Sequence, residues 1–254
     1  MADTTTDIVS LPLAGYAFLK GQAHPFSQGV ACLAGHVLTR VRFITPPPLA
    51  EGLARAASFI TAQGRPLAAL AACELRSPAQ MSPSDFAAFN RHYVELLRAN
   101  GFPSEAPFTM ARSNVAPIHA APSTNTLFAF TYAAAADKAD AAARRDFLIS
   151  GKAEIIDGPS RGIVAAGDAS AAGTEKKASY VLEGLRARVQ LLGCNWTDIS
   201  GIQIYTARAV EPVLPLLHRL GLAPVGLTLH PAHPPVAPAE LEIDLRSVGV
   251  ERLL

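Results

Sequence analysis

The three cysteines, Cys32, Cys73 and Cys194, are scattered through 254 residues with no Cys-x-x-Cys spacing. Neither a disulfide framework nor a structural zinc is expected from them, and a reducing compartment fits. The histidines do not cluster at metal-ligand spacing; His119, His230 and His233 fall in Pro-rich loops, so no metal is expected. No Gly-Lys-Ser/Thr follows Gly162, Gly167 or Gly173, which excludes a phosphate loop, and a Gly-x-Ser-x-Gly elbow is absent. Charge of neither sign dominates, with a net charge of +1 and 17% charged residues. Nucleic acid and membrane are therefore not expected as partners, and the pair Lys176-Lys177 reads as a solvated helix face. No apolar run approaches the length of a membrane span. The start, Met1-Ala-Asp-Thr-Thr-Thr-Asp, has no basic region followed by an apolar core and reads as cytoplasmic.

What is present is a chain that is 50% hydrophobic, enough for one large or two modest cores. Residues 8–19 are apolar, interrupted by Pro12 and Gly15, and suggest a lead-in strand. Residues 37–44 alternate as a strand with Arg40 and Arg42 on one face, and Pro46 to Pro48 break it. Leu49, Leu53, Ala56, Ala57 and Ile60 recur at helical spacing until Gly64. Residues 67–75 read as a buried strand. Ser84-Asp85 is a candidate cap for a second helix whose stripe is Phe86, Phe89, Tyr93, Leu96 and Leu97, ended by Asn100-Gly101. Residues 108–115 and 126–132 are two further strands, and residues 133–146 are an alanine-rich linker.

The second half repeats this order. A strand running into a turn is expected at 147–152, and further strands at 163–166, 196–206, 227–230 and 241–245. Helices are expected from Thr174 as N-cap, with Ala178, Val181, Leu182, Leu185, Val189 and Leu192 inward, and over 210–220. The helix-ending glycines pair as Gly64 with Gly193 and Gly101 with Gly221, an internal repeat in layout. Two helices per half, each with one apolar stripe, can cover one face of a mixed sheet, which gives an α+β fold.

The strand at 108–115 carries the clearest chemical signal. Period-2 alternation places Arg112 on one face with Phe108 and Met110, and an arginine among large apolar groups needs an anion or an escape to water. Its context is Ala-Arg-Ser-Asn-Val, followed by Pro117 and a last strand. His24-Pro-Phe-Ser-Gln-Gly-Val30, Ser150-Gly151-Lys152 and Leu241-Glu-Ile-Asp-Leu245 complete an ordered set of motifs. Together these resemble the RidA/YjgF family, with Phe26 where that family has tyrosine. The resemblance implies two tandem RidA/YjgF-like (chorismate-mutase-like) repeats, each a mixed sheet covered by two helices on one face. The expected boundaries are a tail at 1–20, repeats at 21–136 and 147–254, and a linker at 137–146.

The resemblance also implies trimers whose sites lie in clefts between domains and use an arginine for a substrate carboxylate and a glutamate that handles water. The first repeat keeps Arg112 but has no acid in its last strand; the second has no arginine in its penultimate strand but carries Glu240, Glu242 and Asp244 on one face. One composite cleft of Arg112 and Glu242 is expected, with Glu240 as the acid if the register slips by two. The alternative is that the three acids form a solvated strand face. Ser113, Asn114, Phe26, Ser150 and Lys152 are candidate substrate-binding residues, Lys152 as a second cation for a dicarboxylate or as an exposed turn residue.

The tandem layout is most similar to the two-repeat 2-aminomuconate deaminases, a group that includes enzymes taking chlorinated 2-aminomuconates. That implies hydrolytic, cofactor-free deamination of an enamine or imine dicarboxylate in aromatic-compound degradation. Two alternatives stay open, a chorismatase-like hydrolase on the same fold and a non-catalytic module that binds small acids.

Overall fold

The computed structural model describes residues 7–21, 25–136, 145–156, 162–223 and 225–254. His24, Pro224, the first six residues of the expected tail and residues 137–144 of the expected linker lie outside the described residues. The first repeat runs β4 (His36–Arg42), α1 (Leu49–Ala62), β5 (Leu70–Arg76), α2 (Pro83–Ala99), β6 (Ala111–Pro117), β7 (Thr126–Ala135). The second runs β8 (Phe147–Ala153), α3 (Ala171–Leu191), β9 (Gly201–Thr206), α4 (Leu214–Arg219), β10 (Gly226–His233), β11 (Leu241–Ser247). Their strand orders correspond, β6-β5-β7-β4 against β10-β9-β11-β8. The four paired glycines also correspond, with φ of 67° at Gly64 and Gly193, 76° at Gly101 and 74° at Gly221. Each occupies the left-handed position that closes a helix, which a side chain would strain.

The repeats exchange edges. Strands β1 (Ile8–Leu11), β2 (Tyr16–Leu19) and β3 (Gly29–Cys32) extend the second repeat's sheet through β8, while β12 (Val250–Leu253) pairs in parallel with β4 of the first. The predicted stripes of α1, α2 and α3 all turn inward, on two separate cores. A third apolar layer mixes the halves: Tyr16, Phe18, Val30 and Leu148 pack with Leu38, Ala71, Ala111 and Ala133. The sheets thus bury part of each other's helix-free faces.

Several local expectations need correction. Ser82, not Ser84, caps α2, its hydroxyl accepting the Asp85 N–H at 3.1 Å with Pro83 at the first turn. Ser170 caps α3 one turn before Thr174 by accepting the Gly173 N–H at 3.1 Å. Residues 163–166 form a turn, with only a bridge between Ile155 and Ile163. The stretch 150–152 is strand, not turn, because Lys152 pairs with Ile243 of β11 and the Ser150 N–H donates to the Gln28 carbonyl at 3.1 Å. The lead-in is a hairpin of two strands, and β12 was not anticipated, since Val-Glu-Arg-Leu is too short to carry a period.

Between the sheets lies a buried charge network. Arg40 Nε and Nη2 donate to the two Glu74 oxygens at 2.6 and 2.8 Å. Burial pushes Glu74 up, but the charge and hydrogen bonds of Arg40 outweigh it and hold the carboxyl well below the usual range. Its contribution to stability is therefore present above the ordinary carboxylate pKa and is lost as pH falls through the depressed value. Glu74→Gln leaves the buried Arg40 charge with only the half-exposed Glu251 carboxylate, at 3.4 Å, and is expected to cost about 3 kcal/mol in chemical denaturation.

Candidate active site

β6 is the strand that brings the two repeats together. On one edge it pairs with β5; the N–H groups of its other edge reach the second repeat. Arg112 N–H donates to Ser150 Oγ at 3.0 Å, and Ser150 Oγ donates to the Ser27 carbonyl at 2.6 Å. The Asn114 N–H donates to the Glu242 carboxylate, and Ala116 and Pro117 then pair with β10. The edge of the first repeat is thereby used up by β8, β11 and β10 in turn. Arg112 and Glu242, from different repeats, meet inside one chain.

The Arg112 side chain is 3% exposed and points toward α2. Its Cζ lies 4.4 Å from the Phe26 ring centroid, 5.0 Å from Tyr93 and 5.6 Å from both Phe86 and Phe89. Nη2 donates to Asn90 Oδ1 at 2.8 Å, while Nη1 is buried without a hydrogen-bond partner among the described residues. Burial pushes the guanidinium down to about 10, with Tyr93, Cys73 and Glu242 pulling it back up, so it stays charged at neutral pH. An aromatic cage of this kind holds a guanidinium by its faces and leaves its edge for a carboxylate.

Glu242 is 4% exposed, so the solvated-face alternative for the acids is overturned. Burial first, and repulsion by Asp244 second, push its carboxyl up to about 8, against the charges of Arg112 and Arg76 and the Asn114 N–H. Glu242 Oε1 lies directly over Gly151, where an added Cβ would be 2.0 Å from it. Gly151→Ala must displace the carboxylate. The expected loss in kcat is about a hundred-fold, with secondary structure unchanged by circular dichroism.

The other expected residues divide. Phe26 faces Arg112, so the ring survives in use although the phenol is gone. Asn114 lies beside Glu242, its Oδ1 accepting from Ser77 Oγ at 2.9 Å and its Nδ2 buried without a partner among the described residues. Ser150 holds strands together with both of its bonds. Ser113 alternates to the opposite face of β6 from Arg112. Lys152 is buried on the other side of β8 from Glu242, against Gly184 of α3 and with Nζ 4.7 Å from the Tyr180 ring. It is neither an exposed turn residue nor near Arg112. Glu240 is held by Lys177 and Arg208 outside β11, so the slipped register is not the one adopted. Among the described residues no group of His, Cys, Asp and Glu could hold a metal, and no helix is long and apolar enough to cross a membrane.

Residues 8–252 match the family described as 2-aminomuconate deaminase CnbZ. The chain belongs to that family. A 2-amino-5-chloromuconate deaminase from Comamonas testosteroni is 34% identical over 252 residues, 98% of this chain and 99% of its own. Among solved structures, a chorismatase is 13% identical with a TM-score of 0.51, covering 91% of this chain and 81% of its own, which is a likeness of fold. The YjgF gene product from E. coli covers 42% of this chain and 83% of its own, at 13% identity and a TM-score of 0.33.

Within this family member, three features of the site went unread in the sequence. Asn90 carries a signal in the sequence, an amide that interrupts the apolar stripe of residues 86, 89, 93 and 97. Phe86, Phe89 and Tyr93 read as core and are core, but their ring faces also cage Arg112. Arg76, whose charge acts on Glu242, carried no signal beyond its place at a strand end.

Proposed function

We propose that the Arg112 and Glu242 crevice hydrolyses a 2-aminomuconate-type enamine dicarboxylate to the 2-hydroxy (2-oxo) acid and ammonia, as a hydrolase acting on a C–N bond. One observation carries this reading. A buried guanidinium whose Nη1 has no hydrogen-bond partner among the described residues and a buried carboxyl pushed up to about 8 act on each other's charge, and the carboxylate accepts from the backbone N–H two residues beyond that arginine. The guanidinium can hold the carboxylate beside the amine-bearing carbon. A carboxyl with that pKa is mostly neutral at pH 7 yet ionises readily, as a group that both gives and takes a proton must.

The steps follow from those two states. Neutral Glu242 donates its proton to the β-carbon of the enamine while the nitrogen lone pair closes a C=N bond. The resulting carboxylate takes a proton from water as the water oxygen bonds to the imine carbon, giving a carbinolamine. Glu242 returns that proton to the nitrogen. The C–N bond then breaks with its electron pair going to ammonia, and the hydroxyl proton passes to Glu242, which restores the starting state.

The test is ammonia release from 2-aminomuconate, followed by an ammonia-coupled assay alongside loss of the substrate's absorbance. Turnover that falls with Arg112 and Glu242 variants supports the reading; saturable binding without ammonia release overturns it in favour of a binding module. Assembly as a homotrimer in the cytoplasm belongs to the same reading, with Leu227 and Leu229 of β10 exposed at 38% and 45% as an apolar face that neighbouring copies can cover. Sedimentation equilibrium giving a monomer would remove the trimer from it.

A further inference from the structure

We propose that Ser77 is a positioning residue whose hydroxyl turns the Asn114 amide, so that Asn114 Nδ2 joins Arg112 Nη1 in a two-donor clamp on one substrate carboxylate. The inference rests on the reading above and names what selects a carboxylate at that site over its neutral amide.

Both donors stand on one face of one strand. Arg112 and Asn114 are two residues apart in β6, so their side chains share a side, and a rise of about 3.3 Å per residue sets their Cα atoms roughly 6.6 Å apart. That side is the one α2 covers, since Met110 packs there in the first repeat's core with Phe86, Phe89 and Tyr93. In β5 the same side carries Cys73 and Leu75, which belong to that core and lie in register with Arg112 and Asn114. Ser77 continues this face just past the end of β5, its N–H donating to the Val115 carbonyl at 2.8 Å.

Ser77 is fully buried and Asn114 is 3% exposed. Asn114 is fixed at two points. Ser77 Oγ donates to its Oδ1 at 2.9 Å, and its backbone N–H donates to the Glu242 carboxylate. What is left is Nδ2, buried with no hydrogen-bond partner among the described residues, which is also the condition of Arg112 Nη1. An asparagine that only braced β5 against β6 would engage both ends of its amide; this one engages its acceptor and leaves its donors open. Two buried donors without acceptors are destabilising until a ligand completes them.

The ligand chemistry follows from the donors. A carboxylate has an acceptor oxygen for each of them. A primary amide has one acceptor oxygen, and its NH2 meets the second donor with another donor.

The experiment titrates the full-length protein by calorimetry with hexa-2,4-dienoate (sorbate) and with hexa-2,4-dienamide, which differ only in the group the clamp holds. Wild type is expected to prefer sorbate at least about tenfold. Asn114→Asp keeps the shape and the Ser77 contact but puts an acceptor where the donor was. It is expected to weaken sorbate about ten- to a hundred-fold while hexa-2,4-dienamide binds no more weakly than before, so the preference is lost. Ser77→Ala frees the amide to take both orientations and is expected to narrow the preference about two- to fivefold; it also decides the matter if Asn114→Asp does not fold. A wild type that prefers the amide or neither ligand overturns the clamp, as does an equal loss of both ligands, which marks a bracing role alone. A ratio that moves with Asn114→Asp and not with Ser77→Ala overturns the role of Ser77. A preference that collapses in the variants while wild type releases no ammonia from 2-aminomuconate keeps this inference and removes the deaminase reading. Ammonia release with an unmoved preference does the reverse.

Discussion

Replacement of Glu242 by glutamine is expected to lower kcat by about a hundred- to ten-thousand-fold, the usual worth of a positioned acid and base. Because the carboxyl is pushed to about 8, it is mostly neutral at pH 7, and glutamine conserves both its charge and its shape there. The thermal midpoint at pH 7 should therefore hardly move. That combination separates a chemical role from a structural one. Wild-type kcat/KM should be level below the shifted pKa and fall about tenfold per pH unit above it, since the reaction begins by protonating carbon. Glu242→Gln removes that limb. An alkaline limb that persists in the variant assigns it to another group and overturns the role given to Glu242.

The second large effect is at Arg112. Arg112→Met is expected to lower kcat/KM for 2-aminomuconate by about ten- to a hundred-fold or more, the loss of a charge-assisted hydrogen bond from Nη1 to one carboxylate. Stability should change little. The variant leaves Asn90 Oδ1 without its donor, at about 1–3 kcal/mol, but also removes a buried charge that only one side-chain hydrogen bond satisfies. Its residual activity carries a second signature. The Arg112 charge lowers the Glu242 pKa, so without it the alkaline limb should move above pH 8. A limb that stays in place would mean that the Arg112 charge does not act on Glu242 in solution.

Much of the fold was legible because its signals are local. Apolar spacing gave the inward faces of α1, α2 and α3, and four glycines marked equivalent helix ends in both repeats. Caps were misplaced at Ser84 and Thr174 because several Ser, Thr and Asp residues stand side by side there, and only the backbone geometry selects Ser82 and Ser170. Ser150-Gly151-Lys152 resembled a turn because serine and glycine favour turns. Pairing with β11 as far as Ala153 makes it strand instead.

At the site, the sequence determined which chemical groups exist and how they are divided, an arginine in one repeat and acids in the other. It also fixed that Arg112 shares a face with Met110 and that Glu242 and Asp244 share another, since alternation along a strand is a property of the chain alone. The tertiary structure decided that β6 spends its second edge on β8, β11 and β10, which brings Arg112 to Glu242 within one chain. It also decided that Lys152 turns away beneath α3 while Ser77 reaches Asn114. Strand partners across a hundred residues and the burial they impose are set by how whole sheets pack, and burial is what pushes the Glu242 carboxyl up to about 8.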